Sequence, residues 1–158
     1  MGKSKVIIPK KLSVDPVKMS RVIVNTLNAV ALDMQIDFKV TTQTWRDKPT
    51  FAIASPTPYS RTIGTGDAVY SMLNEGTKAH DILPKPGKIL MFGTPFRSKT
   101  LPRQIMSGPG FKGNNKVISR YGVHHPGTEA RAWDTTIAAK WDTKVGAIFQ
   151  RAVDAEIN

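Results

Sequence analysis

Six apolar residues, Met19, Ile23, Leu27, Val30, Met34 and Phe38, follow one another at spacings of four, four, three, four and four. That repeat is one face of an α-helix, and it commits this part of the chain to a helix with a single buried stripe. Ser13, Asp15 and Pro16 supply its start. A polar side chain can accept from first-turn N–H groups, and proline has no N–H to waste there. The helix reads on to about Trp45, roughly 40 Å at 1.5 Å per residue. The β-branched Val40, Thr41 and Thr42 disfavour its last turns.

A second stripe, Trp133, Ile137, Trp141, Val145, Ile148, Phe149 and Ala152, predicts a closing helix that starts near 128–131. Gly146 inside it costs about 1 kcal/mol relative to alanine, so a close backbone approach is expected there. The two tryptophans Trp133 and Trp141 read as core or subunit interface. Between the helices, 50–54 and 61–65 read as strands, and Asp67 as the cap of a short helix over 68–73. Residues 81–83 and 88–92 read as strands around the proline–glycine turn PKPGK, and 116–123 as another. Residues 93–115 hold Pro95, Pro102, Pro109, Gly108, Gly110 and Gly113 and read as a long loop. The fold class is α+β: a long N-terminal helix, a small mostly antiparallel β-sheet with a long basic loop, and a C-terminal helix. With 158 residues, the chain divides into an arm over 1–12 and a single domain over 13–158.

Charge is unevenly placed. Lysines and arginines number 23 against 12 acidic residues, a formal +11. Between Ile82 and Thr128 there is no acidic residue, yet Lys85, Lys88, Arg97, Lys99, Arg103, Lys112, Lys116 and Arg120 all fall there. Lys3, Lys5, Lys10 and Lys11 add to the arm. Such a segment faces DNA, an acidic partner or simply solvent, and phosphate attraction adds over contacts. Its aromatics, Phe92, Phe96, Phe111 and Tyr121, lack the spacing of a base-reading module, so any nucleic-acid contact would be to the backbone.

Other chemistry is thinly represented. The chain has no cysteine, which excludes disulfides, thiolate metal sites and a cysteine nucleophile. It has no GxSxG, no P-loop and no GxGxxG. His80, His124 and His125 lack zinc spacing, so no metal and no cofactor are expected. Glu75, Asp81 and Glu129 lie near these histidines in sequence, which leaves a magnesium-dependent nuclease as an alternative. No run is long and apolar enough for a membrane span, and Val6 stands where a myristoylation signal at Gly2 wants Ser or Thr. One motif occurs twice: Gly76-Thr77-Lys78-Ala79-His80 and Gly127-Thr128-Glu129-Ala130-Arg131 share glycine, threonine, a charge, alanine and a base, 51 positions apart. They read as two similar strand-edge turns, with glycine free to adopt positive φ and the threonine hydroxyl capping the next residues.

Tyr70, Glu75, Gly76, Thr77 and His80, then Pro84, Lys85, Leu90 and Phe92, then His125, Pro126, Gly127, Thr128, Arg131 and Trp133 form an ordered pattern. This pattern resembles a family of bacteriophage tail-completion, or neck-type, proteins. Thr44, Trp45, Lys48, Pro49 and Phe51 resemble one branch of it. The resemblance covers roughly residues 15–155. Ala132 stands where many members have proline, and their T-G-x-L segment is missing. The resemblance implies a structural protein and not an enzyme: a virion subunit, made in the host cytoplasm, that closes into a ring at the head–tail junction. Hexamers and dodecamers are the implied ring sizes. The implied partners are further copies of itself, the neighbouring connector or stopper, the tail terminator or tube, and the backbone of genomic DNA, with no membrane. The alternative without the resemblance is a sequence-nonspecific nucleic-acid-binding protein.

Overall fold

A computed structural model describes residues 15–157. The arm expected over 1–12, with its four lysines, and the Ser13 part of the helix start lie outside the described residues. The elements are α1 (Pro16–Thr41), β1 (Ala52–Ala54), β2 (Thr62–Gly64), α2 (Ala68–Glu75), β3 (His80–Ile82), β4 (Leu90–Arg97), β5 (Phe111–Ser119), β6 (Val123–His125) and α3 (Trp133–Ile157). The fold is α+β, with a long helix at each end and antiparallel strands between.

α1 begins where Asp15 Oδ1 accepts from the Val17 and Lys18 N–H groups, with Pro16 as the first helical residue. It stops at Thr41, four residues short of Trp45. The Thr41 and Thr42 hydroxyls, on buried residues, turn back onto the Phe38 and Lys39 carbonyls at 2.7 and 3.3 Å. These side-chain bonds compete with the next helical turn. Trp45 still reaches the core, its ring edge-on to Trp133 at 6.2 Å.

α3 starts at Trp133, later than the 128–131 expected from its stripe, because its cap comes from elsewhere in the chain. The Asn74 side-chain oxygen accepts from the N–H groups of Trp133 and Asp134 at 2.8 and 3.3 Å. Residues 131 and 132 still lie outside the helix, donating to the carbonyls of Leu73 and Asn74. Ala132 makes the turn into the helix at φ 51°. Proline, whose ring fixes φ near −65°, could not make this turn. Gly146 meets no other atom within 4 Å, so the close approach expected there does not exist and the glycine faces open space.

The two helices run antiparallel. Asp37 of α1 receives Lys140 Nζ on both carboxylate oxygens and Trp141 Nε1 on one, all at 2.7 Å. Lys18 meets Glu156 at the far end. Val30, Phe51, Tyr70, Trp133, Ile137 and Trp141 form the buried core, with Met34, Phe38, Trp45, Ile63, Leu73, Ile105, Val145, Ile148 and Phe149 packed against it. Its centre is aromatic: Tyr70 stacks on Trp133 at 4.8 Å and meets Phe51 edge-on at 5.0 Å. Burial pushes the Tyr70 phenol up to about 12, the Thr41 hydroxyl opposes this, and the Asp134 carboxylate adds to it. The Thr41 hydroxyl donates to Phe38 and does not close a hydrogen bond of ordinary geometry to the phenol.

The strands form three separate two-stranded ladders in place of one sheet: β1 with β2, β3 with β6, and β4 with β5. The β1–β2 hairpin lies on α1, held by Gln35 Nε2 to the Phe51 carbonyl and Arg61 Nε to Asn28, both at 2.6 Å. The long loop expected over 93–115 is shorter than its sequence suggests, strand at both ends and loop through its middle. Its ends belong to β4 and β5, and only 98–110 connects them. The strand expected over 116–123 is divided at 120–122, where Gly122 takes φ 103° and its carbonyl accepts from Ser119 Oγ.

Candidate assembly surface

The two Gly-Thr motifs face each other. Thr77 and Thr128 form an antiparallel bridge, exchanging N–H···O bonds of 2.9 and 3.0 Å. The bridge continues the register of β3 and β6, in which His80 pairs with His125, Asp81 with His124 and Ile82 with Val123. Pro126, which has no N–H to give, interrupts the ladder between them. Both glycines are required by this approach. Gly76 lies at φ 78° and Gly127 at φ 94°. A Cβ on Gly76 would stand 2.6 Å from the Thr128 carbonyl oxygen, and one on Gly127 would overlap the Thr77 carbonyl. The Thr77 hydroxyl caps nothing: it is buried without a hydrogen-bond partner among the described residues.

The histidines add a polar seam to this base. The rings of His80 and His125 stack at 5.1 Å. His80 Nδ1 donates to the Lys78 carbonyl at 2.9 Å. His125 Nδ1 accepts from the Gly127 N–H at 3.0 Å, which requires that nitrogen to carry no proton. His124 pairs elsewhere, with Asp81 at 2.7 Å. Of the residues named for a nuclease, Glu75 ends α2 in solvent while His80 and His125 stack on each other. Among the described residues no three His, Asp or Glu side chains come together as a metal ion needs.

Beyond the bridge, the described side chains between 78 and 127 contribute only Ile105 to the apolar core and its packing shell. It leaves through β3, returns through β4, touches the core with 98–110, leaves again through β5 and comes back through β6. The middle touch is well tied. Arg103 N–H donates to the Arg131 carbonyl at 2.8 Å, Trp133 Nε1 to the Gln104 carbonyl at 3.2 Å, and Lys99 Nζ to the Thr44 carbonyl at 2.7 Å. Thr44 Oγ1 also donates to the Gly108 carbonyl at 2.9 Å.

The β4–β5 ribbon is the element left over. Met91 pairs with Ile118, Phe92 with Val117 and Arg97 with Phe111, and a bulge at Thr94/Phe96 bends it. At the bend a Cβ on Gly93 would stand 2.5 Å from the Gly113 carbonyl. Alternation puts Met91 and Ile118 on one face with Lys116, and Phe92 and Val117 on the other. Both faces are open: Met91 is 59% and Ile118 58% exposed, and Phe92, Val117 and Phe111 are exposed as well. At the far end, Leu83 and Tyr121 stand out at 69% and 93%. A two-stranded ribbon without a covered face is at best marginally stable by itself.

All eight cations expected between 82 and 128 are exposed, and none has a carboxylate partner among the described residues. They do not sit on one loop. Lys85, Lys88 and Arg120 are at the far turns, Lys112 and Lys116 on β5, Arg97 at the end of β4, and Lys99 and Arg103 on the segment against the core. Of the motif residues, Tyr70 and Trp133 are core, and Gly76, Thr77, His80, His125, Pro126, Gly127 and Thr128 form the base of the excursion. Arg131 is buried beside that base and Glu75 is exposed. Asn74, which caps α3 across 59 residues, has no local sequence signal. No family model, no curated protein and no solved structure matches the chain. No helix among the described residues is long and apolar enough to cross a membrane.

Proposed function

We propose that this protein is a structural subunit of a tailed-phage virion, a neck or tail-completion protein that closes into a ring at the head–tail junction. The observation that carries the proposal is the β4–β5 ribbon: apolar on both faces, basic, free of carboxylates and, in its described side chains, outside the core. A surface of this kind is one that assembly buries. The resemblance in the motif residues supplies the setting, and those residues hold the base from which the ribbon extends. A ring repeats one heterologous interface, so two different patches of the same subunit must meet. The exposed Leu32 and Ile36 beside Asp33 on the outer side of α1 offer an apolar, acidic counterpart to the ribbon. The far-end cations Lys85, Lys88 and Arg120 then remain for neighbouring rings or for DNA backbone.

The basic excursion also favours a second reading, a free nucleic-acid-binding protein. Sedimentation over a salt series, with and without duplex DNA, separates the two. Self-association without DNA supports the subunit. A monomer that binds DNA with a steep salt dependence supports the alternative.

A further inference from the structure

Arg131 is 8% exposed and borders a cleft of about 690 Å³ between α2, the 45–47 turn and the 98–100 segment. Among the described residues its guanidinium is held only by neutral acceptors. Nε donates to the buried Thr100 hydroxyl at 3.2 Å, Nη2 to the Ser98 hydroxyl at 3.2 Å and Nη1 to the Glu129 carbonyl at 3.3 Å. Five N–H groups belong to a guanidinium, so two remain. A buried charge is costly without a counter-charge. Arg131 forms no ion pair among the described residues. The two carboxylates bordering the cleft are engaged, Asp47 by Arg46 and Asp67 by the Tyr70 N–H. The chain ahead of Asp15 cannot supply the missing charge from a side chain, since residues 1–14 include no aspartate and no glutamate.

We infer that this cleft is a docking site for an extended peptide segment of a partner protein, one that carries a carboxylate next to an apolar side chain. The carboxylate takes the two remaining N–H groups of Arg131, with Lys99 at the same wall. The apolar neighbour takes the surface of Trp45, Val69 and Leu73. A phosphate ester fits less well, because its second negative charge would face Asp47 and Asp67. The inference stands whether or not the protein forms a ring.

The test is NMR titration of the full-length ¹⁵N-labelled protein with blocked hexapeptides Gly-Ser-Glu-Leu-Ser-Gly, the same peptide with Gln for Glu, and the same with phosphoserine for Glu. The expected result is saturable shifts of the Arg131 Nε–H and Trp45 indole signals with the Glu peptide, at least about tenfold tighter than with the Gln peptide. Val69→Asp, at an exposed position in the first turn of α2 where an acid suits the helix, removes the binding while the spectrum stays folded. Arg131→Gln removes it too. No shift with the Glu peptide, equal binding of the Gln peptide, or tighter binding of the phosphoserine peptide overturns the inference.

Discussion

Thr77 and Thr128 exchange both of their backbone hydrogen bonds, at 2.9 and 3.0 Å, and so close the base of everything between them. Each is preceded by a glycine with positive φ whose missing side chain lets the opposite strand approach. Gly127→Ala is therefore expected to destabilise the fold by about 2–4 kcal/mol, combining positive-φ strain with a backbone overlap. Gly146→Ala, in open space within α3, should stabilise by about 0.5–1 kcal/mol. Urea unfolding of the two variants checks the contrast. Equal effects would contradict the assigned base.

Asp37 is the polar tie between the helices, its side chain 14% exposed and accepting from Lys140 and Trp141. Asp37→Asn keeps the shape and removes the charge, and should cost about 1–3 kcal/mol because Lys140 and Trp141 lose a charged acceptor. Asp47→Asn, in an ion pair that is 81% exposed on its acidic side, should change stability by less than about 0.5 kcal/mol. Thermal unfolding at fixed pH distinguishes them.

Tyr70 gives the fold a pH limit. Its phenol is held near 12 in the folded chain against an ordinary value of 10. The unfolded chain therefore releases this proton first. The contribution is intact below pH 10 and is lost as pH rises from 10 towards 12. Tyr70→Phe should lose less stability over that window than the wild type. At neutral pH it should be as stable or slightly more so, since the hydroxyl it removes has no hydrogen-bond partner among the described residues. Denaturant titrations at pH 7 and in the alkaline window measure both effects.

Ala132 turns into α3 at φ 51°. Ala132→Gly should stabilise by about 0.5–1 kcal/mol, the cost of left-handed backbone at a residue with a Cβ. Ala132→Pro should destabilise by about 3 kcal/mol or more, because its ring cannot reach that φ and its missing N–H breaks the bond to Asn74. A proline variant as stable as wild type would contradict the turn.

The helices are legible in the sequence because their stripes record the face that is buried: Val30, Ile137 and Trp141 lie on the predicted lines and in the core. Their ends are less so, since Asn74 caps α3 from a distant position and the Thr41 and Thr42 hydroxyls stop α1 early. The half of the β4–β5 ribbon next to its connection, 93–97 and 111–115, reads as loop for a related reason, while 88–92 and 116–123 read as strand. Pro95, Gly93 and Gly113 lie at a bulge and a close crossing, so the residues that bend the ribbon are the ones that usually mark a loop. The repeated Gly-Thr motif is visible as two turns. That they pair with each other depends on a register no local pattern carries. The acid-free run of cations is plain in the sequence, but its spread over a ribbon, two turns and a core-facing segment follows from the topology.

The ribbon carries the assembly proposal, and Met91 and Ile118, paired across it and more than half exposed, are where to test it. Mass by light scattering, with negative-stain images of the same peak, should be measured for the wild type and for Met91→Ser/Ile118→Ser. A ring whose mass is a multiple of 17.4 kDa is predicted for the wild type. For the variant the prediction is a folded 17.4 kDa monomer, its stability within about 1 kcal/mol of the wild type. A wild type that remains at 17.4 kDa at every concentration, alone and mixed with connector and tail-tube proteins, would contradict the proposal.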